Sequence, residues 1–112
     1  MSRSQLLKGT TQLLVLGVLR EGELYGYEIA QRIRERSGAR IDAGEGWLYP
    51  TLHRLEAEGA LTASWREGGI GPRRRYYRIT RKGLGMLEAE AREWDAFARS
   101  VRLVTGGATS DG

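Results

Sequence analysis

Apolar positions recur along the chain at helical spacing in four places and alternate in two more. Thr10 to Arg20 predicts a first helix in which Leu13, Leu14, Val15, Leu16, Val18 and Leu19 wrap most of the circumference. A helix apolar all round must be covered on more than one side. Tyr25 to Ser37 predicts a second helix, with Gly26, Ile29, Ala30 and Ile33 on one face and Tyr27, Gln31 and Arg34 opposite; Gly38 ends it. Gly46 to Glu58 predicts a third. Leu48, Leu52 and Leu55 form its buried stripe, Pro50 falls near its start, and Gly59 closes it. Trp47, Tyr49, Thr51, His53 and Arg54 read as lying off that stripe.

The period then changes from about 3.6 to 2. Leu61, Ala63 and Trp65 alternate with Thr62, Ser64 and Arg66, as in a half-buried strand. Gly68 to Pro72 reads as a turn, and Arg73 to Ile79 as the returning strand. Thr80 is a plausible cap for a last helix reaching about Val104. Its apolar positions Leu84, Leu87, Ala91, Trp94, Ala98 and Val101 follow heptad spacing. Such a helix is roughly 36 Å long at about 1.5 Å per residue. That exceeds the body it packs on, so part of the seam is expected to meet a second subunit. Residues 105–112 are small, polar and Gly-rich, and are expected to be disordered.

The order is helix, helix, helix, hairpin, helix. The fold class expected is mainly α with a β-hairpin wing. A winged helix-turn-helix spans 1–79, a long C-terminal dimerisation helix spans 80–104, and a tail spans 105–112. In that arrangement the third helix enters the major groove and the wing meets backbone or minor groove.

Charge sharpens this picture. Over all 112 residues, 18 Lys and Arg stand against 14 Asp and Glu, a net +4 that says little by itself. Residues 1–65 hold eight basic and eight acidic side chains, 66–82 hold seven and one, and 83–112 hold three and five. The excess is therefore focused on the hairpin and the residues just after it. A focused basic patch is the electrostatic footprint of a polyanion. The chain has no Cys, which excludes disulfides and thiolate metal sites. Its longest apolar run, Leu13 to Leu19, is far short of the roughly 20 residues a membrane span needs. With no signal-like N-terminus either, a cytoplasmic protein is expected.

Three stretches resemble the PadR family of bacterial transcriptional regulators in its short-chain form. They are Tyr25-Gly26-Tyr27-Glu28-Ile29, Leu48 to Glu56 (LYPTLHRLE) with Gly59, and Gly71 to Thr80 (GPRRRYYRIT) with Gly83. The resemblance implies a homodimeric repressor that leaves its DNA when a small effector binds. Members of the family respond to phenolic acids, flat aromatic drugs or other small molecules. One departure stands out: Trp47 occupies a position where the family usually carries a small hydroxyl residue.

The candidate DNA-binding residues are Lys8, Tyr27, Trp47, Tyr49, Thr51, His53, Arg54, Gly71, Arg73, Arg74 and Arg75. Guanidinium groups pair with phosphates as bidentate forks, and a glycine at the wing tip lets backbone approach the sugar-phosphate rail. The candidate dimerisation residues are Leu14, Val18, Leu84, Leu87, Ala91, Trp94, Ala98 and Val101. Trp94 is either seam core or, with Ala91 and Ala98 leaving space beside it, a stacking site for a planar aromatic effector. The partners expected are double-stranded DNA carrying a pseudo-palindromic operator and a second copy of the chain, with no membrane.

No cofactor or metal is expected. His53 is the only histidine. Gly68 to Gly71 lacks the Lys and Ser/Thr of a phosphate loop, and Gly83-Leu84-Gly85 lacks the third Gly of a dinucleotide fingerprint. Glu56 and Glu58 project to opposite sides of their helix. These absences point away from an enzyme. The alternatives to an operator-binding regulator are a winged-helix protein-interaction module and a sequence-tolerant nucleic-acid binder.

Overall fold

The structure, a computed structural model, describes Leu7, residues 9–67 and residues 69–108. Helix α1 spans Thr11–Leu19, strand β1 Leu24–Tyr25, helix α2 Gly26–Arg36 and helix α3 Leu48–Ala57. Strands β2 and β3 span Leu61–Arg66 and Arg74–Ile79, and helix α4 runs Arg81–Thr105. Each predicted element is present within a residue or two of its expected ends. Thr105, expected in the tail, completes α4 instead, and residues 109–112 lie outside the described residues. Among the described residues, two short elements were not foreseen: β1 and a 3-10 turn at Ala43–Glu45.

The core collects Val15, Leu16, Val18 and Leu19 from α1, Ile29 and Ile33 from α2, and Leu48, Leu52 and Leu55 from α3. Leu61 and Tyr77 from the sheet and Leu87 from α4 close it. Fully burying each such side chain contributes roughly 1.5–3 kcal/mol. Helix α2 opens with a bond from the Tyr25 amide to the Glu28 carboxylate at 3.1 Å. It stops at Gly38, whose φ of +65° suits glycine.

The sheet is antiparallel in the order β1-β3-β2, with Tyr25 opposite Tyr76, Ser64 opposite Tyr76 and Arg66 opposite Arg74. Strand β1, which leads into the helix-turn-helix, thus ties that motif to the wing. Strand β3 leads straight into α4. The Thr80 hydroxyl accepts from the Gly83 amide at 3.0 Å, confirming Thr80 as the cap, and lies 2.7 and 3.0 Å from the Gly59 and Ala60 carbonyls, to which it can donate. The start of the long helix is therefore locked to the end of α3. Among the described residues, no helix is long and apolar enough to cross a membrane.

Candidate nucleic-acid interface

Helix α3 buries Leu48, Leu52 and Leu55, as its spacing predicts, but also Thr51. Thr51 is only 7% exposed, and its hydroxyl donates to the Trp47 carbonyl at 2.8 Å. The expectation that Thr51 lies off the stripe is thus corrected: three residues after Leu48 and four before Leu55, it shares their face, and its polar group is satisfied within the helix. Trp47 precedes α3, half-buried against the core, and its indole N–H donates to the Asp42 carbonyl at 3.2 Å. It braces the turn before the helix. Tyr49, Pro50, His53 and Arg54 remain exposed. Tyr49 and His53, four apart, share one side of the helix.

The wing separates its side chains by face. On the outer face Arg66 lies over the Tyr76 ring at 4.6 Å, and Arg74 over the Tyr25 ring at 4.7 Å. Tyr25 in turn packs on Tyr76 and Tyr27, with centroids 5.4 and 6.4 Å away. Glu23 pairs with Arg66 and, at 3.9 Å, with Arg78. On the inner face Trp65 sits beside Arg73 and Arg75 at 5.7 and 5.4 Å. Arg75 forms an ion pair at 2.7 Å with Glu56 of α3. Burial pushes the Tyr77 hydroxyl's pKa up, against the opposing pull of Arg75.

The three wing arginines are therefore unequal. Among the described residues, neither Arg73 nor Arg74 makes an ion pair, whereas Arg75 is held by a carboxylate. Arg54 pairs with Glu58 at 3.2 Å and also reaches Gln12. Gly71 is exposed beside the wing tip, and Tyr27 is exposed on α2 next to the tyrosine cluster. Lys8 lies outside the described residues. The structure thus places Tyr27, Tyr49, His53, Arg54, Gly71 and Arg73 at the surface, leaves Arg74 half-buried over the Tyr25 ring, and turns Thr51 inward. Sequence patterning did not reveal Glu23, Arg66 or the Tyr25–Tyr76 contact, because β1 is too short to alternate visibly. The one signal in the chain was charge: Glu23, with Glu21 two residues before it, stands just ahead of the YGYEI stretch.

The expected seam also divides. Val18 and Leu87 are each 6% exposed and belong to this chain's own core, and Leu14 packs on that core. Leu84, Trp94 and Val101 stay exposed and Ala91 and Ala98 half-exposed, and Phe97, Leu103 and Val104 extend the apolar surface. Between α1 and α4 runs an open groove of about 570 Å³, lined by Leu13, Gly17, Leu87, Ala91 and Trp94 among others. It brings Ala91 and Trp94 together and leaves Ala98 outside. No cluster of metal-ligating side chains occurs among the described residues.

The model of the transcriptional regulator PadR-like family matches residues 15–89, from α1 into α4. A transcriptional regulator of Mycobacterium tuberculosis is 36% identical over 94 residues, covering 84% of each chain. A solved transcriptional regulator from Clostridium thermocellum superimposes with a TM-score of 0.81 at 31% identity, over 91% of this chain and 95% of that one. The structure of Bacillus subtilis PadR in complex with operator DNA aligns with a TM-score of 0.67 at 30% identity, over 74% of this chain and 47% of that one.

Proposed function

The chain belongs to the PadR-like family of transcriptional regulators, and from that premise we propose that it is a homodimeric repressor released from a pseudo-palindromic operator by a small-molecule effector. The observation that carries DNA binding is the pairing of α3's exposed face with a wing whose Arg73 and Arg74 have no carboxylate partner among the described residues. Unpaired guanidinium groups are ready to neutralise phosphates, and Tyr49 and His53 are within the helix that would face the groove. Arg75 then acts by holding the wing to α3 through Glu56, and Trp47 and Thr51 by fixing the start of α3.

Dimerisation is supported by the exposed stripe on α4. Trp94 is 47%, Phe97 63% and Val104 87% exposed. A contiguous apolar surface of that kind marks an association site. Residues 80–104 thus serve as the dimerisation helix and 1–79 as the DNA-binding unit. Trp94, at the groove beside Ala91, is the stacking surface for a planar aromatic effector. Because that groove lies on α4, a ligand there acts on the arrangement of the two wings.

Footprinting the promoter upstream of the chain's own coding sequence, at physiological salt, tests this reading. Two protected half-sites about 10 bp apart, or a multiple of that, are expected of a two-fold dimer. Equal binding to every duplex would leave only a sequence-tolerant binder, and no binding a protein-interaction module. For the effector, quenching of intrinsic Trp fluorescence by flat aromatics is expected, and it should vanish in Trp94→Ala.

A further inference from the structure

Gln12 of α1 stands between two charged side chains that come from different elements. Its carboxamide oxygen accepts from the Arg54 guanidinium of α3 at 2.8 Å, and its amide nitrogen donates to the Glu90 carboxylate of α4. Arg54 lies 42 residues away in the chain and Glu90 78, so neither contact follows from local helix geometry. A carboxamide suits the place because it offers an acceptor at one corner and donors at the other. Each bond has one charged partner, which makes it stronger than a neutral pair. Gln12 and Glu90 are both half-buried, so water competes less for the contact between them than at an open surface, whereas Arg54 stays exposed where DNA can reach it.

We propose that Gln12 is a positioning residue for DNA reading. Together with the Glu58 carboxylate at the end of α3, 3.2 Å from the guanidinium, it fixes the direction of Arg54 on the recognition helix, and through Glu90 makes that direction depend on where α4 lies. An arginine already held by partners loses less side-chain freedom on meeting DNA. A shift of α4 relative to α1 pulls first on Glu90, then on the amide, then on Arg54. The groove containing Trp94 is bounded by the same two helices, so anything that wedges them apart acts on this relay. The inference rests on the reading above that α3 meets DNA.

The test begins with a pool of random-sequence duplexes, from which the wild-type protein selects its preferred site. Affinities of variants are then compared on that duplex and on a scrambled one. Gln12→Ala is expected to bind the selected duplex about three- to tenfold more weakly, the effect of leaving one long side chain to be ordered on binding, with scrambled DNA unchanged. Combined with Arg54→Ala, it should add no further loss, as expected for two groups acting as one. Gln12→Glu sets two carboxylates against each other and should also weaken binding. Adding Glu90→Gln to it restores the bond between positions 12 and 90 with donor and acceptor exchanged, leaves Arg54 donating to the carboxylate at position 12, and should recover the affinity. That exchanged pair also serves if Gln12→Ala folds poorly. The proposal is overturned if Gln12→Ala binds the selected duplex like the wild type, if its loss adds fully to that of Arg54→Ala, or if the exchanged pair fails to recover. A wild-type protein that enriches no sequence would instead overturn the functional reading beneath it.

Discussion

The phenol of Tyr49 fills the space that a side chain at Gly26 would need: a Cβ built there would stand 2.3 Å from the Tyr49 hydroxyl oxygen. The first residue of α2 and the exposed ring of α3 therefore meet at the elbow of the helix-turn-helix. Tyr49 is 54% exposed, so its ring has room to swing outward. Gly26→Ala should consequently cost little stability, under about 1 kcal/mol, because a surface ring can move where a packed core cannot. Its effect should fall on DNA affinity, since the displaced ring lies on the face proposed to enter the groove. Denaturant unfolding and gel shift on the same preparation separate the two. A large stability loss with unchanged affinity would count against this view of the elbow.

Gly83 presents the opposite case. A Cβ there would lie 2.3 Å from the Ala60 carbonyl oxygen and 2.7 Å from Ile79. Backbone cannot step aside as a ring can. Gly83→Ala is expected to destabilise the fold by about 1–3 kcal/mol, the usual range for overpacking, by pushing the start of α4 away from the end of α3. The midpoint of urea unfolding reads this directly.

Thr80 secures the same junction by hydrogen bonds. Thr80→Ala removes a cap and the hydroxyl that faces two carbonyls, and should cost about 1–2 kcal/mol. Thr80→Ser keeps the hydroxyl and should recover most of that loss. Equal destabilisation by the two substitutions would show that the methyl group, not the cap, matters.

Arg74 and Arg75 are neighbours with different expected behaviour. Arg74→Ala should weaken binding to all sequences and lower the slope of log affinity against log salt by about one for each phosphate that is no longer neutralised. Arg75→Ala releases Glu56 and should change the wing's attachment to α3, with a smaller effect on the slope. Titrating affinity against salt for both variants distinguishes them. Identical slopes would place the two arginines in the same role.

Tyr77 gives the fold a limit at high pH. Burial raises its pKa, so the folded state favours the neutral phenol. In the unfolded chain a tyrosine ionises near pH 10, as is usual for the free side chain. Above that pH the unfolded state sheds the proton more readily, so this contribution to stability is complete below it and falls as pH rises. Denaturant unfolding between pH 8 and about 11 should show this decline, and Tyr77→Phe should flatten it.

Four helices and the wing were legible because each repeats its period long enough to be counted. The seam of α4 keeps heptad spacing from Leu84 to Val101, and Leu61 to Arg66 alternates over six residues. Strand β1 has two residues and the turn at Ala43–Glu45 three, too few for any period to register. Thr51 was misread because a hydroxyl suggests solvent, although its position among Leu48, Leu52 and Leu55 was already that of a buried residue. The seam showed where apolar surface lies but not what covers it, and Leu87 is covered by this chain's own core. Pairing of Arg75 with Glu56, and of Arg54 with Gln12, depends on how elements meet across the fold. No spacing along the chain encodes that.

Two copies of the chain, each using α3 and the wing, are proposed to read two half-sites. Footprinting of the selected duplex, with the mass of the protein–DNA complex measured by analytical ultracentrifugation, tests this most directly. Two protected patches about 10 bp apart, or a multiple of that, and two chains per duplex are expected. A single protected patch with one chain bound, or uniform protection along the whole fragment, would contradict this reading.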